Sequence, residues 1–208
     1  TETVRTALLE DLGRAGDIPG GMTQVINSYL SWPFDRADVD VLTSRGDPGD
    51  HIAAARAFLS ARREITRLAR SGRPVVIVAH LSERGSFVRE GHLARHAARL
   101  GLPVIAHLHG SEFAPYEAAH PGRVAAVLGA CAHVISLSDE SSQIAARIVG
   151  SDRVTLVPNA VSPGMGGEKT TTVVFGGAVT HRKGIDVLQE AWRRLAPDFP
   201  GWTLLVAG

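Results

Sequence analysis

Short apolar segments alternate with longer amphipathic segments along this chain, and the alternation restricts its fold more than any other feature. The clearest apolar segment, Val104–Leu108, stops abruptly at the small and polar residues 109–112. A nearly continuous apolar run is typical of a strand buried on both faces of a parallel sheet. The pattern therefore predicts an α/β fold, a doubly wound parallel sheet with helices packed on it.

The segments before residue 162 predict six strands and five helices. The strands are predicted at residues 4–9, 39–43, 75–79, 104–108, 134–137 and 154–157, and the helices at 22–30, 51–70, 86–100, 115–130 and 139–149. Asp50 is expected to cap the helix at 51–70, and either Ser138 or Asp139 the helix at 139–149. Pro121 and Gly122 are expected to interrupt the fourth helix.

The alternation stops and then starts again near the end of the chain. Residues 162–171 lack hydrophobic periodicity and are predicted to link an N-terminal domain, residues 1–161, to a second region, residues 172–208. The second region contains two strands and one helix, which is too little for a complete domain. We expect it to be the beginning of a second Rossmann-like domain.

Composition and charge exclude several classes of protein. A net charge of +1 over 208 residues gives no electrostatic basis for nucleic-acid binding. The single cysteine, Cys131, cannot form an intrachain disulfide. The apolar runs are too short to span a membrane, and the first residues lack the pattern of a signal peptide. A cytoplasmic protein is expected.

The candidate functional residues lie where predicted strands end. His109 directly follows the strand at 104–108, and the carboxyl ends of strands are where open α/β sheets bind ligands. The glycines before the helix at 22–30 could place backbone N–H groups near an anion, although they do not form the G-x-G-x-x-G fingerprint. Considered by itself, His109 is better explained as a structural histidine that is hydrogen-bonded to nearby backbone. The glycines alone do not decide between an anion site and a flexible loop.

A second pair of histidines has metal-binding spacing. His92 and His96 lie four residues apart on one predicted helix, so their side chains share a face. The H-E-x-x-H order of zinc proteases is absent, and we expect an exposed structural pair. No metal site is predicted.

Several motifs occur in one order along the chain. They are the sequences His107-Leu-His-Gly-Ser-Glu-Phe113, Ser136-Leu-Ser138, Val157-Pro-Asn159-Ala-Val161 and Arg182-Lys183-Gly184, preceded by a glycine-rich loop. Together they resemble family 4 retaining glycosyltransferases of the GT-B fold. With Arg84-Gly-Ser-Phe-Val-Arg89, the resemblance is strongest to members that assemble bacterial polysaccharides.

The resemblance implies two Rossmann-like domains that face each other across a cleft, the first for the acceptor and the second for most of the donor. It implies transfer of a sugar, with retention, from a nucleotide-sugar to a glycan or lipid-linked acceptor. No cofactor or metal is expected. Such enzymes act in the cytoplasm, often at the inner face of the cell membrane. Much of the donor domain would lie beyond Gly208, so we expect these 208 residues by themselves to be inactive.

The resemblance also implies roles for individual residues. His109 would contact the transferred sugar as the catalytic residue. The donor diphosphate would be bound by Gly20, Gly21, Arg182 and Lys183, and the sugar or acceptor by Ser111, Glu112, Ser138 and Asn159. Ala178 stands where many family members carry an arginine, and Arg182 would supply that charge instead.

Other interpretations remain open at this point. A nonhydrolysing sugar-nucleotide epimerase shares the fold, and a non-catalytic nucleotide-sugar-binding fragment would share the motifs. Arg63, Arg67 and Arg70 recur near helical spacing. A solvated helix face explains them, and so does peripheral contact with anionic lipid headgroups.

Overall fold

Six parallel strands form the sheet on which the first part of the chain is built. The computed structural model describes residues 4–11, 21–45, 49–159 and 167–208. The strands are β1 Val4–Asp11, β2 Ala37–Arg45, β3 Val75–Leu81, β4 Val104–Leu108, β5 His133–Ser136 and β6 Val154–Leu156, in the order β2-β1-β3-β4-β5-β6. The order reverses between β1 and β3, and the carboxyl ends of the strands at such a switch point form the usual ligand crevice. The predicted fold class is confirmed.

The helices connect successive strands, as parallel pairing requires. They are α1 Gly21–Leu30, α2 His51–Ala69, α3 Gly85–Arg99, α4 Phe113–Ala119, α5 Pro121–Leu128 and α6 Asp139–Val149. The expected interruption is confirmed, because α4 ends at Ala119 and α5 begins at Pro121, where a missing N–H is no loss. The element ends fall within two residues of those predicted, and the predicted fourth helix is divided into α4 and α5.

Two predicted caps are confirmed at the helix starts. The Asp50 carboxylate accepts hydrogen bonds from the backbone N–H groups of Ile52 at 2.9 Å and Ala53 at 2.8 Å. The Ser138 hydroxyl accepts one from the backbone N–H of Ser141 at 3.2 Å. Each cap satisfies N–H groups that the first helical turn leaves without partners.

The core lies where β3 and β4 pack against the helices. On β3, Val75, Ile77 and Ala79 are buried, and the same is true of Val104, Ala106 and Leu108 on β4. Phe87 of α3 packs its ring 6.3 Å from Phe113 and 5.1 Å from Tyr116 of α4. These aromatic contacts hold together the starts of the two helices that follow β3 and β4.

A buried carboxyl connects α3 to the carboxyl end of β2. The Ser44 hydroxyl donates a hydrogen bond to Glu90, and Nε of Arg89 lies 3.5 Å from the same carboxylate. Burial raises the pKa of Glu90 above its usual range, although the hydrogen bonds and Arg89 oppose the shift. Glu90 therefore fixes α3 relative to the sheet at the end where strands terminate.

The second part of the chain is a single βαβ unit. The chain divides into Thr1–Val161 and Ser162–Gly208, and residues 160–166, which include the start of the predicted linker, lie outside the described residues. Strands β7 Thr172–Gly176 and β8 Thr203–Ala207 pair in parallel, with α7 Ile185–Leu195 between them in the chain. No helix in the described part of the chain is both long and apolar enough to cross a bilayer.

The contact between α3 and α5 gives a first prediction, on stability. A Cβ atom added at Gly91 would lie 2.8 Å from Cγ2 of Val127, a stiff and buried side chain. Ala is the better helix former by about 1 kcal/mol, but overpacking costs about 1–3 kcal/mol. We expect Gly91→Ala to lower the free energy of unfolding in urea.

Two further variants separate the clash from other effects of the substitution. Gly122→Ala makes the same change in α5 with no atom within 4 Å, and should leave stability unchanged or raise it. Gly91→Ala combined with Val127→Ala should be less destabilised than the sum of the single variants. Strict additivity of the two changes would contradict close helix contact here.

Candidate functional site

Three histidines meet at the carboxyl ends of β3 and β4. His80 and His107 are direct partners in the register of the two strands, and His109 follows β4 two residues after His107. Because side chains alternate between the faces of a sheet, a two-residue step returns to the same side. The result is a cluster in which one ring nitrogen from each histidine lies within 4.8 Å of the others.

The three rings contact one another closely. Nδ1 of His80 lies 2.8 Å from Nε2 of His109, and the two rings stack with centroids 5.0 Å apart. The centroids of His107 and His109 are 4.0 Å apart. The ring of Tyr29 of α1 lies near those of His80 and His107, with centroid distances of 6.2 and 6.4 Å. Helix α1 therefore contributes to the same site as β3 and β4.

Burial keeps the cluster uncharged. The pKa of His80 is held well below its usual range by burial and, next, by the neighbouring His109 and His107. Burial lowers the pKa of His107 to about 4, and burial together with His107 lowers the pKa of His109 to about 3. At neutral pH each ring therefore carries one N–H and one lone pair.

The turn after β4 is fixed by a neighbouring loop. The Glu83 carboxylate accepts hydrogen bonds from the Ser82 hydroxyl at 3.0 Å and from the backbone N–H of Glu112. A Cβ atom at Gly110 would overlap this carboxylate, so a larger residue there would displace the Glu83 side chain from the turn. The backbone N–H of His109 also donates to the carbonyl of Leu81 at 2.8 Å. The turn bearing His109 is thus bonded to the β3–α3 loop.

Beside this turn lies a groove of about 390 Å³. Arg84 stands in it with φ 62°, the one non-glycine residue of positive φ in the described part of the chain, and such strain is concentrated at functional sites. Its guanidinium lies 3.6 Å from the Glu112 carboxylate. Tyr116, His120 and Arg123 complete the groove.

Other predicted site residues of the first unit lie at the same edge of the sheet. Ser138 follows β5, the neighbour of β4, and Asn159 follows β6, one strand farther, at about 4.8 Å per strand. The Ser138 hydroxyl is already engaged as a helix cap. Gly21 begins α1, and Gly20 lies outside the described residues.

The predicted cationic residues belong to the second unit. Arg182 and Lys183 form an exposed turn, His181–Lys183, between β7 and α7. The turn ends at Gly184, whose φ of 74° favours glycine. Ala178 lies in the same loop and brings no charge, so the positive charge of the loop is concentrated at its carboxyl end.

The cluster that His80 and His107 form with His109 was not predicted from the sequence. His80 and His107 each stand near the end of an apolar segment that was predicted to be a strand. The sequence did not give the register between these strands, so it did not show that the two histidines are neighbours. His92 and His96 form no such site in the structure. His92 donates to the carbonyl of Val88, and His96 contacts the Thr66 hydroxyl at 3.0 Å.

The histidine cluster offers the donor set for a transition metal, but its spacing favours a hydrogen bond. Two imidazole nitrogens on a tetrahedral zinc ion, each at about 2.0–2.1 Å, would be about 3.3 Å apart. The nitrogens of His80 and His109 lie closer, at 2.8 Å, which is a hydrogen-bond distance. The cluster can therefore bind a ligand through neutral imidazoles that donate and accept hydrogen bonds at the edge of the sheet.

Comparison with models of protein families identifies the family. The sequence model of Glycosyltransferase Family 4 matches residues 24–164, which is more than half of the chain. The matched segment contains the histidine cluster, the turn after β4 and the groove beside it. No curated protein matches the chain significantly.

The depressed histidine pKa values give a second prediction, on acid stability. An unfolded histidine titrates near pH 6.5, so between that pH and about 4 the unfolded chain binds protons that the folded cluster rejects. Stability should be complete above about pH 6.5 and fall as the pH drops toward 4, with a slope of about 1.4 kcal/mol per pH unit for each histidine.

The slope can be measured by urea unfolding at several pH values. His107→Phe removes one titrating ring and should reduce the slope by about one third of the contribution of the cluster. The slope is the diagnostic quantity, because the substitution also changes packing and hence the absolute stability. An unchanged slope in His107→Phe would show that His107 is not held neutral.

Proposed function

Since the chain belongs to glycosyltransferase family 4, we propose that it transfers a sugar from a nucleotide-sugar to a glycan or lipid-linked acceptor with retention of configuration. The observation that carries this proposal is His109, a neutral and half-buried imidazole directly after β4, next to the switch point of the sheet. The proposed role is in the synthesis of cell-surface polysaccharide or glycoconjugate.

The reaction exchanges one bond at the anomeric carbon for another. The bond from that carbon to the diphosphate oxygen breaks, and a bond to the acceptor hydroxyl oxygen forms on the same face. Negative charge grows on the departing diphosphate, so cationic groups and backbone donors near it lower the barrier. We assign no covalent nucleophile, cofactor or metal to this scheme.

His109 is proposed to bind and orient the transferred sugar. A group with a pKa of about 3 is a poor proton donor at neutral pH, because almost none of it is protonated. A neutral imidazole can still donate one hydrogen bond and accept another. Contact with a sugar hydroxyl uses this capacity and does not require His109 to change its charge. Ser111 and Glu112, exposed on the adjoining turn, would contact the sugar or the acceptor.

The diphosphate is proposed to bind the basic turn of the second unit and the start of α1. Arg182 offers a planar fork and Lys183 a point charge, and both suit phosphate oxygens. Gly21 begins α1, and the first N–H groups of a helix lack internal partners and attract anions. Arg182 would supply the charge that Ala178 does not.

Peripheral contact with an anionic membrane is a further part of this proposal, with the protein acting on the cytoplasmic face. Arg63, Arg67 and Arg70 line one groove on α2, together with Thr66 and Ser71. All three arginines are exposed, although Arg67 is paired with Glu64. Exposed arginines on one helix face suit anionic headgroups, near which each adds about 1 kcal/mol of attraction.

A contrast between His109 and Lys183 is the third prediction. Lys183→Ala removes a charge near the leaving diphosphate and should lower turnover by roughly 10²-fold or more. It should also weaken nucleoside diphosphate binding, because the ground state already carries phosphate charge. His109→Ala should lower turnover just as steeply and leave nucleoside diphosphate affinity nearly unchanged.

Isothermal titration with nucleoside diphosphate and turnover measurements on the native protein would test this contrast. Lys169→Ala and His92→Ala are matched controls at exposed positions outside the proposed site, and both should retain activity. Equal losses of nucleotide affinity in His109→Ala and Lys183→Ala would contradict the division into a sugar end and a phosphate end.

The membrane contact gives the fourth prediction. Arg63→Ala with Arg70→Ala should reduce co-sedimentation with vesicles that contain anionic lipid, and added salt should weaken binding of the unaltered protein. Arg147→Ala with Lys169→Ala removes the same charge from exposed sites outside α2 and serves as the control. An electrostatic contact would be contradicted if co-sedimentation depended neither on the anionic lipid content of the vesicles nor on the salt concentration.

A further inference from the structure

We propose that His80 is a positioning residue that holds His109 as the tautomer protonated on Nδ1, so that His109 presents an N–H donor to an oxygen of the bound ligand. The contact that carries this inference is the 2.8 Å hydrogen bond between Nδ1 of His80 and Nε2 of His109. The statement that His109 donates to a ligand rests on the function proposed above. The assignment of the His109 tautomer is independent of that function.

His80 is fully enclosed, which limits the protonation states that it can adopt. Its side chain has 0% exposure, and its Nε2 atom has no hydrogen-bond partner among the described residues. A buried imidazolium would need a partner for each of its two N–H groups. His80 is therefore neutral, with one proton to place on either Nδ1 or Nε2.

The two placements differ in what they leave unpaired. If His80 is protonated on Nδ1, it donates to Nε2 of His109, and the buried Nε2 of His80 is an unpaired acceptor. If His109 donates instead, the proton of His80 must lie on Nε2, where it becomes a buried N–H group with no acceptor. Orphaned buried N–H groups are rare in proteins, and unsatisfied acceptors are better tolerated. The first placement is therefore favoured.

The tautomer of His109 follows directly from this placement. Its Nε2 accepts from His80, so its own proton must lie on Nδ1 in the neutral ring. No described residue forms a hydrogen bond with Nδ1 of His109, and the side chain is only partly buried. The nitrogen that remains for a ligand is thus a donor, and its partner is an acceptor oxygen such as that of a sugar hydroxyl.

Long-range ¹H–¹⁵N NMR of histidine-labelled protein measures the tautomer without any assay of transfer. We expect the signals of both His80 and His109 to show protonation on Nδ1, with no change after treatment with a chelator. Protonation of His109 on Nε2 would overturn the proposal. Histidine signals that change when a bound metal ion is removed would overturn it too.

Two substitutions at His80 give a second, independent measurement. The amide N–H of His80→Asn can donate from near the position of Nδ1, and this variant should keep His109 protonated on Nδ1. His80→Leu removes the donor, so protonation of His109 on Nε2 should become detectable. An unchanged His109 spectrum in a folded His80→Leu protein would overturn the proposal.

Activity then distinguishes positioning from packing. His80→Leu should lower kcat on the order of 10- to 100-fold, as misplacement of a catalytic group does, whereas His80→Asn should recover most of kcat. Equal losses in both folded variants would overturn the positioning role. Failure of the proposed function would be visible separately, as absence of transfer by the unaltered protein.

Discussion

The parallel register of β3 and β4 is the constraint on which the site depends. It pairs His80 with His107 across the two strands and sets His109 on the same side, one step farther along. A slip of one residue would move the side chains of one strand to the opposite face and separate the cluster. The register is specified by burial, because Ile77 and Ala79 on β3 and Ala106 on β4 are fully enclosed. The packing of the core thus determines how the three histidines are placed relative to one another.

Burial also determines the charge of the three histidines. Enclosing three imidazoles at one sheet edge penalises their charged forms and leaves a set of neutral hydrogen-bonding groups. Beside this neutral centre, Arg84 is paired with Glu112 on the adjoining loops. Glu83, bonded to the turn at Glu112, keeps the loops after β3 and β4 together. Such an arrangement suits a ligand recognised by its hydroxyl groups, and the proposed sugar end of the cleft has this character.

The sequence predicts features that depend on neighbouring residues and misses those that depend on distant contacts. The capping roles of Asp50 and Ser138 and the helix break at Pro121 follow from local chemistry, and all three are observed. The position of His109 at a strand end follows from hydrophobic periodicity. The pairing of His80 with His107, the left-handed backbone of Arg84 and the contact of Glu83 with the turn all arise from strand register and loop packing, which one sequence does not encode locally. Gly20 lies outside the described residues, and its predicted role stays a prediction.

The central claim is that the carboxyl edge of β3 and β4 holds the sugar during transfer. A crystal structure of the protein with an intact, non-hydrolysable nucleotide-sugar tests it most directly. We expect a sugar oxygen within hydrogen-bonding distance of Nδ1 of His109, beside an otherwise unchanged histidine cluster. A sugar bound away from this edge, or one that contacts the edge without engaging His109, would contradict it.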